Sequence, residues 1–181
     1  MARIRISLLR VDRFSTLHRD KRTMNAIVPH FYPGSEAEPA ELIRLAQAFR
    51  EAAARTRPGK GEGGKLLRAP FDLLCLHSIE LAMTAALRSS DYDSPTIRAM
   101  GHNLARRARA LEKCGIAWRR NTIGNIEAMS HERHYLKCRY APSETDRVAL
   151  SRVEATADEA LEKCAVFVAG REAAARLTLE L

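Results

Sequence analysis

Aromatic side chains are scarce, at 6% of the 181 residues with a single Trp. A core built from this chain must therefore be aliphatic and alanine-filled, and base-stacking platforms of interleaved aromatics are missing. Runs of β-branched residues are missing too, while Ala, Leu, Arg and Glu dominate, which favours helix over sheet. No Cys-x-x-Cys pair occurs among Cys75, Cys114, Cys138 and Cys164. Such dispersed cysteines, with no secretory signal, predict reduced thiols in a cytoplasm, two of them in apolar helical patterns where they pack as small hydrophobes. No Gly-Lys-Ser/Thr follows the glycines of the stretch 57–65, and no strand precedes them, so a phosphate loop is absent. That stretch reads as a flexible linker. The apolar positions Ile4, Ile6, Leu8, Leu9 and Val11 are too interrupted by Arg to make a signal core or a membrane anchor.

What is present in excess is positive charge. Lys and Arg number 30 against 22 Asp and Glu, a formal +8. That balance suits an anionic partner, although a solvated basic surface from compositional bias explains it equally well. The length fits one helical domain over 35–181, preceded by a basic, loosely packed arm over 1–34 in which Met24 is an alternative start.

The stretch around which the rest must pack is Phe71 to Leu87. It lacks Gly and internal Pro. Phe71, Leu74, Cys75, Ala82 and Ala85 recur at helical spacing, and Leu73, Leu76, Met83 and Leu87 cover the neighbouring face. A helix apolar most of the way round must be enclosed by other helices. Asp72, His77 and Glu80 interrupt it too much for a membrane span. The expected core centres on Leu74, Cys75, Leu81, Ala82 and Ala85.

Around it the sequence predicts further helices. One is capped by Ser35 with the stripe Leu42, Leu45, Ala46, Phe49 and Ala53. Another starts at Ser94-Pro95, presents Ile97, Met100, Leu104, Ala108 and Leu111, carries a weak point at Gly101 and stops at Cys114-Gly115. A third runs from about Trp118 toward Tyr135. After the turn at Ala141-Pro142-Ser143, a last long helix is capped by Ser143 or Thr145, with Val148, Val153, Ala157, Ala160, Leu161, Cys164 and Val168 inward and a bend or frayed end at Gly170. The expectation is an all-α, up-and-down bundle of about five helices.

Three constellations could carry chemistry. His77 and Glu80, at i and i+3, can bond each other as a satisfied polar pair or serve as acid and base; the first is the commoner outcome. His131 and His134 could approach one metal ion, but without further ligands at a recognised spacing no metal and no cofactor is expected. Arg98, Arg106, Arg107, Arg109, Lys113, Arg119 and Arg120 face Glu112 alone in sequence. Within that stretch Arg106, Arg109 and Lys113 line one helix face, a candidate phosphate-binding row or simply a solvated one.

The run Leu76 to Leu87 (LHSIELAMTAAL), then Gly101-His102-Asn103-Leu104, then Arg139-Tyr140-Ala141-Pro142, resembles the HEPN family (higher eukaryotes and prokaryotes nucleotide-binding) over roughly residues 65–142. The resemblance implies an up-and-down helical bundle, often dimeric, that binds nucleotide or RNA or supports a partner such as a nucleotidyltransferase in toxin–antitoxin or defence systems. It further implies that the helix opening at Gly101 and the Arg139 segment return beside the central helix. His77, Glu80, His102, Asn103, Arg139 and Tyr140 are then expected to converge, with Arg139 placed for a carboxylate or a phosphate. Active HEPN ribonucleases carry Arg-x(4–6)-His. Here Arg98 to His102 is one residue too short, Arg120 to His131 too long, and Arg133 adjoins His134. No catalytic residue is carried over, and a non-catalytic module with no membrane association is the leading expectation. A metal-independent ribonuclease using His77, Glu80, His102 and Arg139, or a plain dimerisation scaffold, is the alternative.

Overall fold

Between Phe71 and Leu87 nothing in the backbone resists helix, and in the computed structural model the helix runs further in both directions. The structure describes residues 34, 36–59, 65–144 and 148–179, all within the unit Pro33–Leu181. Ser35, Thr145, the linker glycines at 61–64 and all of the arm but Gly34 lie outside them. Seven α-helices form among the described residues: α1 Pro39–Thr56, α2 Lys65–Ser89, α3 Ser94–Ala99, α4 Leu104–Lys113, α5 Arg120–His131, α6 His134–Tyr140 and α7 Leu150–Leu179, with a 3₁₀ turn at Pro142–Glu144. No strand occurs among the described residues. The fold is all-α.

The central helix is α2, against which α1, α3, α4, α6, α7 and the 3₁₀ turn pack. Phe71, Leu76, Ile79, Met83 and Leu87 are fully buried on it, as are Cys75, Ala82, Ala85 and Ala86. Burying each of the large side chains contributes about 1.5–3 kcal/mol. Leu74 and Leu81, two expected core centres, are only partly buried. They sit on the boundary of the enclosed surface, and alanine spacing alone did not reveal which side faces outward. By length and mean hydropathy (1.3) the segment Leu66–Ser89 would also suffice to cross a membrane. In this fold its apolar surface is taken up by neighbouring helices. Pro70 is accommodated in the second turn, on an exposed position.

Helix boundaries follow local chemistry. Pro39 sits at N1 of α1, where its fixed φ suits the helix and its missing N–H is no loss; the extended Glu38 before it is what proline enforces. The helix thus starts later than a Ser35 cap would give. Leu45, expected inward on α1, is exposed, and Ile43 is buried in its place. Asp93, rather than Ser94, caps α3 by accepting from the Thr96 amide at 2.7 Å. Gly101, at φ +54°, breaks the third predicted helix into α3 and α4, and Asn103 recaps the second piece by accepting from the Arg106 amide. Gly115, at φ +99°, ends α4.

The fourth predicted helix is also two. Arg133 adopts a left-handed conformation, φ +51°, separating α5 from α6. No glycine marks that break, so it was not visible in sequence. These two breaks turn five expected helices into seven. Ser143 lies in the 3₁₀ turn and does not cap α7, which starts at Leu150 after Val148 has packed inward and given its carbonyl to Arg68. Helix α7 continues through Gly170.

Cross-helix polar bonds fix the register of this packing. The Ser78 hydroxyl donates to the Ala46 carbonyl at 2.7 Å, pinning α1 to α2. Arg50 of α1 bonds Asp158 and Glu154 of α7. In urea denaturation, Leu87→Ala should cost about 2–5 kcal/mol and Leu81→Ala clearly less, because Leu81 already retains contact with water. Equal losses at the two positions would contradict this placement of the core.

Candidate functional site

Glu80 is the polar centre on the face of α2 that meets α4 and α6. His102 Nδ1 bonds its carboxylate at 3.0 and 3.2 Å, and Arg107 Nη2 lies 3.3 Å from Oε1. Arg107, 4% exposed, also donates to the Thr84 hydroxyl at 2.8 Å and to the Gly101 carbonyl at 2.8 Å. One guanidinium therefore ties α4 to α2 and satisfies the carbonyl at the α3–α4 break. His102 is half-exposed and stacks on Tyr135, ring centroids 4.0 Å apart. Arg139 lies over both Tyr135 and Tyr140. Burial raises the Tyr135 phenol pKa and the Glu80 charge adds to this, while Arg139 opposes both.

The expected cluster is thus assembled only in part. Glu80 and His102 pair, Asn103 caps α4 beside them, and Arg139 and Tyr140 join through the stack on Tyr135. Arg139 does not pair with Glu80; Arg107 occupies that place. Nor do His77 and Glu80 bond each other. His77 instead packs edge-on against Phe49, centroids 4.4 Å apart, and its Nδ1 is buried without a partner. Burial lowers the His77 pKa, Glu80 pulling it up and His102 pushing it further down.

A second polar centre, on the face of α2 toward α6, was not anticipated. Asp72 is completely buried; its Oδ2 accepts from Arg68 Nε at 2.7 Å and from His134 Nε2 at 3.0 Å, while its Oδ1 has no partner. Cys138 stands one turn beyond His134. Ligand atoms of Asp72, His134 and Cys138 all lie within 4.8 Å of one another. Burial first, then the charge of Asp72, push the Cys138 thiol up to about 12 against the pull of Arg68. A third centre is Glu159 of α7, which accepts from the Arg119 amide and the Thr122 hydroxyl and pairs with Lys163 at 2.9 Å. Burial works to raise its carboxyl pKa, but these bonds together hold it below the ordinary value. Asp72, Arg107, His134 and Glu159 could have been suspected in sequence only as charges set among apolar helical positions.

The basic stretch does not form one surface. Arg107 turns inward, and Arg119 and Arg120 line a separate cavity with Asn125, Arg152 and Glu159. Arg106, Arg109 and Lys113 do share one open groove of about 780 Å³, along with Tyr92, Glu127 and His131. Arg109 reaches Glu127 at 2.9 Å, and Arg106 donates to the Ala99 carbonyl at 3.0 Å. A smaller cavity of about 310 Å³ is lined by His102, Ser130, Arg133, His134 and Tyr135, among others. It joins the surroundings of the Glu80 and Asp72 centres.

Compared with known proteins, the chain matches no family model, no characterised protein and no solved structure. Function must be argued from the geometry itself.

Removing Arg107 leaves Glu80 with one fewer cation and a buried void. Arg107→Ala should therefore destabilise by about 3–5 kcal/mol. Arg139→Ala, on an exposed side chain, should stay within about 0.5 kcal/mol. A larger loss at Arg139 than at Arg107 in thermal or chemical unfolding would refute the assignment of the Glu80 partner.

The lowered pKa of His77 makes stability depend on pH with a definite sign. The unfolded imidazole titrates near about 6.5. Its contribution is complete above that value and is lost as pH falls through the lower folded value, because the unfolded chain binds the proton first. His77→Phe should flatten the urea midpoint between neutral pH and about pH 5. An unchanged pH profile would exclude this role.

Proposed function

We propose that the chain is a HEPN-like helical module that binds a phosphate-bearing ligand, a nucleotide or RNA, without cleaving it. The observation that carries this reading is the α4–α5 groove. Arg106, Arg109 and Lys113 converge on it with His131, and Glu127 is the single carboxylate among the described residues that line it. Cations spaced along one helix neutralise phosphates without reading sequence. Tyr92 at the groove wall offers one ring for a base. The net charge of +8 draws such a ligand from a distance. The sequence resemblance adds the biological frame, a homodimer acting with a nucleotidyltransferase-type partner in a toxin–antitoxin or defence setting, and the dispersed cysteines favour a cytoplasmic one.

The pairing of His102 with Glu80 favours a second reading, a ribonuclease with a divergent site. A carboxylate on Nδ1 fixes the tautomer of an imidazole and leaves Nε2 for proton transfer. That reading requires RNA cleavage in the presence of a chelator and its loss in His102→Ala. If RNA is retained but not cut, the binding module stands. If RNA is neither cut nor retained, the chain is a scaffold.

For the groove itself, Arg106→Glu combined with Arg109→Glu should abolish retention of single-stranded RNA in a filter or mobility assay while the melting temperature barely moves. The wild-type affinity should fall with salt at about 0.7 log units per log unit for each phosphate neutralised. Unaltered affinity in the double variant would remove the groove from consideration.

A further inference from the structure

We propose that Asp72, His134 and Cys138 form a binding site for one divalent transition-metal ion, with zinc the best fit. Two observations carry it. The first is convergence: side chains from two helices bring a carboxylate, an imidazole and a thiol within 4.8 Å of one another, all three residues buried. His134 and Cys138 stand at i and i+4 on α6 and so project from one face, one turn apart. Asp72 meets them from α2. The second is the unpartnered Oδ1 of Asp72, a carboxylate oxygen with no contact to water and no donor. Buried polar atoms in native proteins are almost always satisfied, so an orphan oxygen on one of the three ligand side chains points to a missing partner of positive charge.

The donor set selects the ion. Mixed nitrogen, oxygen and sulfur ligands suit zinc and its neighbours, whereas calcium and magnesium require oxygen. Tetrahedral coordination at zinc bond lengths places ligand atoms about 3.3–3.7 Å apart, within the 4.8 Å span already present. In the bound state Asp72 coordinates through Oδ1. His134 coordinates through Nε2, its proton moving to Nδ1, and Cys138 coordinates as thiolate, its proton passing to solvent. Carboxylate and thiolate together balance the charge of the ion. Arg68 stays outside the ligand shell: it holds Oδ2 at 2.7 Å and the Val148 carbonyl, orienting the carboxylate as outer partners of metal ligands do. Three protein ligands leave a fourth place open. The 310 Å³ cavity that His134 lines, with His102 and Arg133 also in its wall, borders the site on the His134 side.

The test is a cobalt(II) titration of the reduced full-length chain, followed by displacement with zinc. The expected result is one cobalt per chain, with an intense thiolate-to-metal band in the near ultraviolet and strong visible bands of a tetrahedral site, both removed by zinc. Cys138→Ala should abolish the thiolate band, whereas Cys114→Ala should keep it. Zinc should raise the melting temperature of the wild type and not that of Cys138→Ala. Asp72→Asn, close in shape, should weaken cobalt binding at least tenfold; if that variant does not fold by circular dichroism, the cysteine pair decides. A wild type with no thiolate band, or a band that survives in Cys138→Ala, overturns the proposal and leaves Arg68, Asp72 and His134 as a structural polar triad.

Discussion

A carboxylate placed on the enclosed face of a helix must have its oxygens satisfied by donors, and here part of each set comes from a neighbouring helix; this constraint organises the bundle. Asp72 and Glu80 lie on α2 two turns apart and Glu159 lies on α7. Each reaches across: Asp72 to His134 of α6, Glu80 to Arg107 of α4, Glu159 to Thr122 of α5. Aliphatic and alanine surfaces pack with little preference for one register over the next. The buried carboxylates supply that preference, because sliding a helix by a turn would take away their cross-helix donors in a medium that does not replace them.

The same constraint accounts for what the sequence disclosed and what it did not. The identity of α2 as the central helix was legible because its apolar residues cover most of its circumference. The stop at Gly115 and the weak point at Gly101 were legible because positive φ is easy for glycine. The α5–α6 junction was not, since Arg133 takes a left-handed conformation that its own residue type does not announce. Leu74 and Leu81 were overrated for a related reason: periodicity identifies faces but not which of two apolar faces a neighbour will leave partly open.

The candidate sites were legible to different degrees. Glu80 and His102 were expected near each other and are bonded, yet the cation beside them, Arg107, stood in the sequence only as one member of a basic stretch. One-dimensional charge patterns cannot distinguish Arg107 from Arg106, although a single step along a helix rotates the side chain by about 100°. Arg106, Arg109 and Lys113, spaced to share a face, do share a groove. The partnership of Asp72 with His134, 62 residues apart, depended on two helices meeting, and no local spacing encodes that.

The break at Arg133 also uncouples rotational phase. In a continuous helix every residue added or removed in α5 would swing His134 and Cys138 about 100° around the axis. With the chain reset by one left-handed residue, α6 takes its orientation from its own docking on α2. The length of α5 and the facing of the His134 pair can therefore vary independently, so that sequence drift in the groove-bearing segment leaves the buried triad in place.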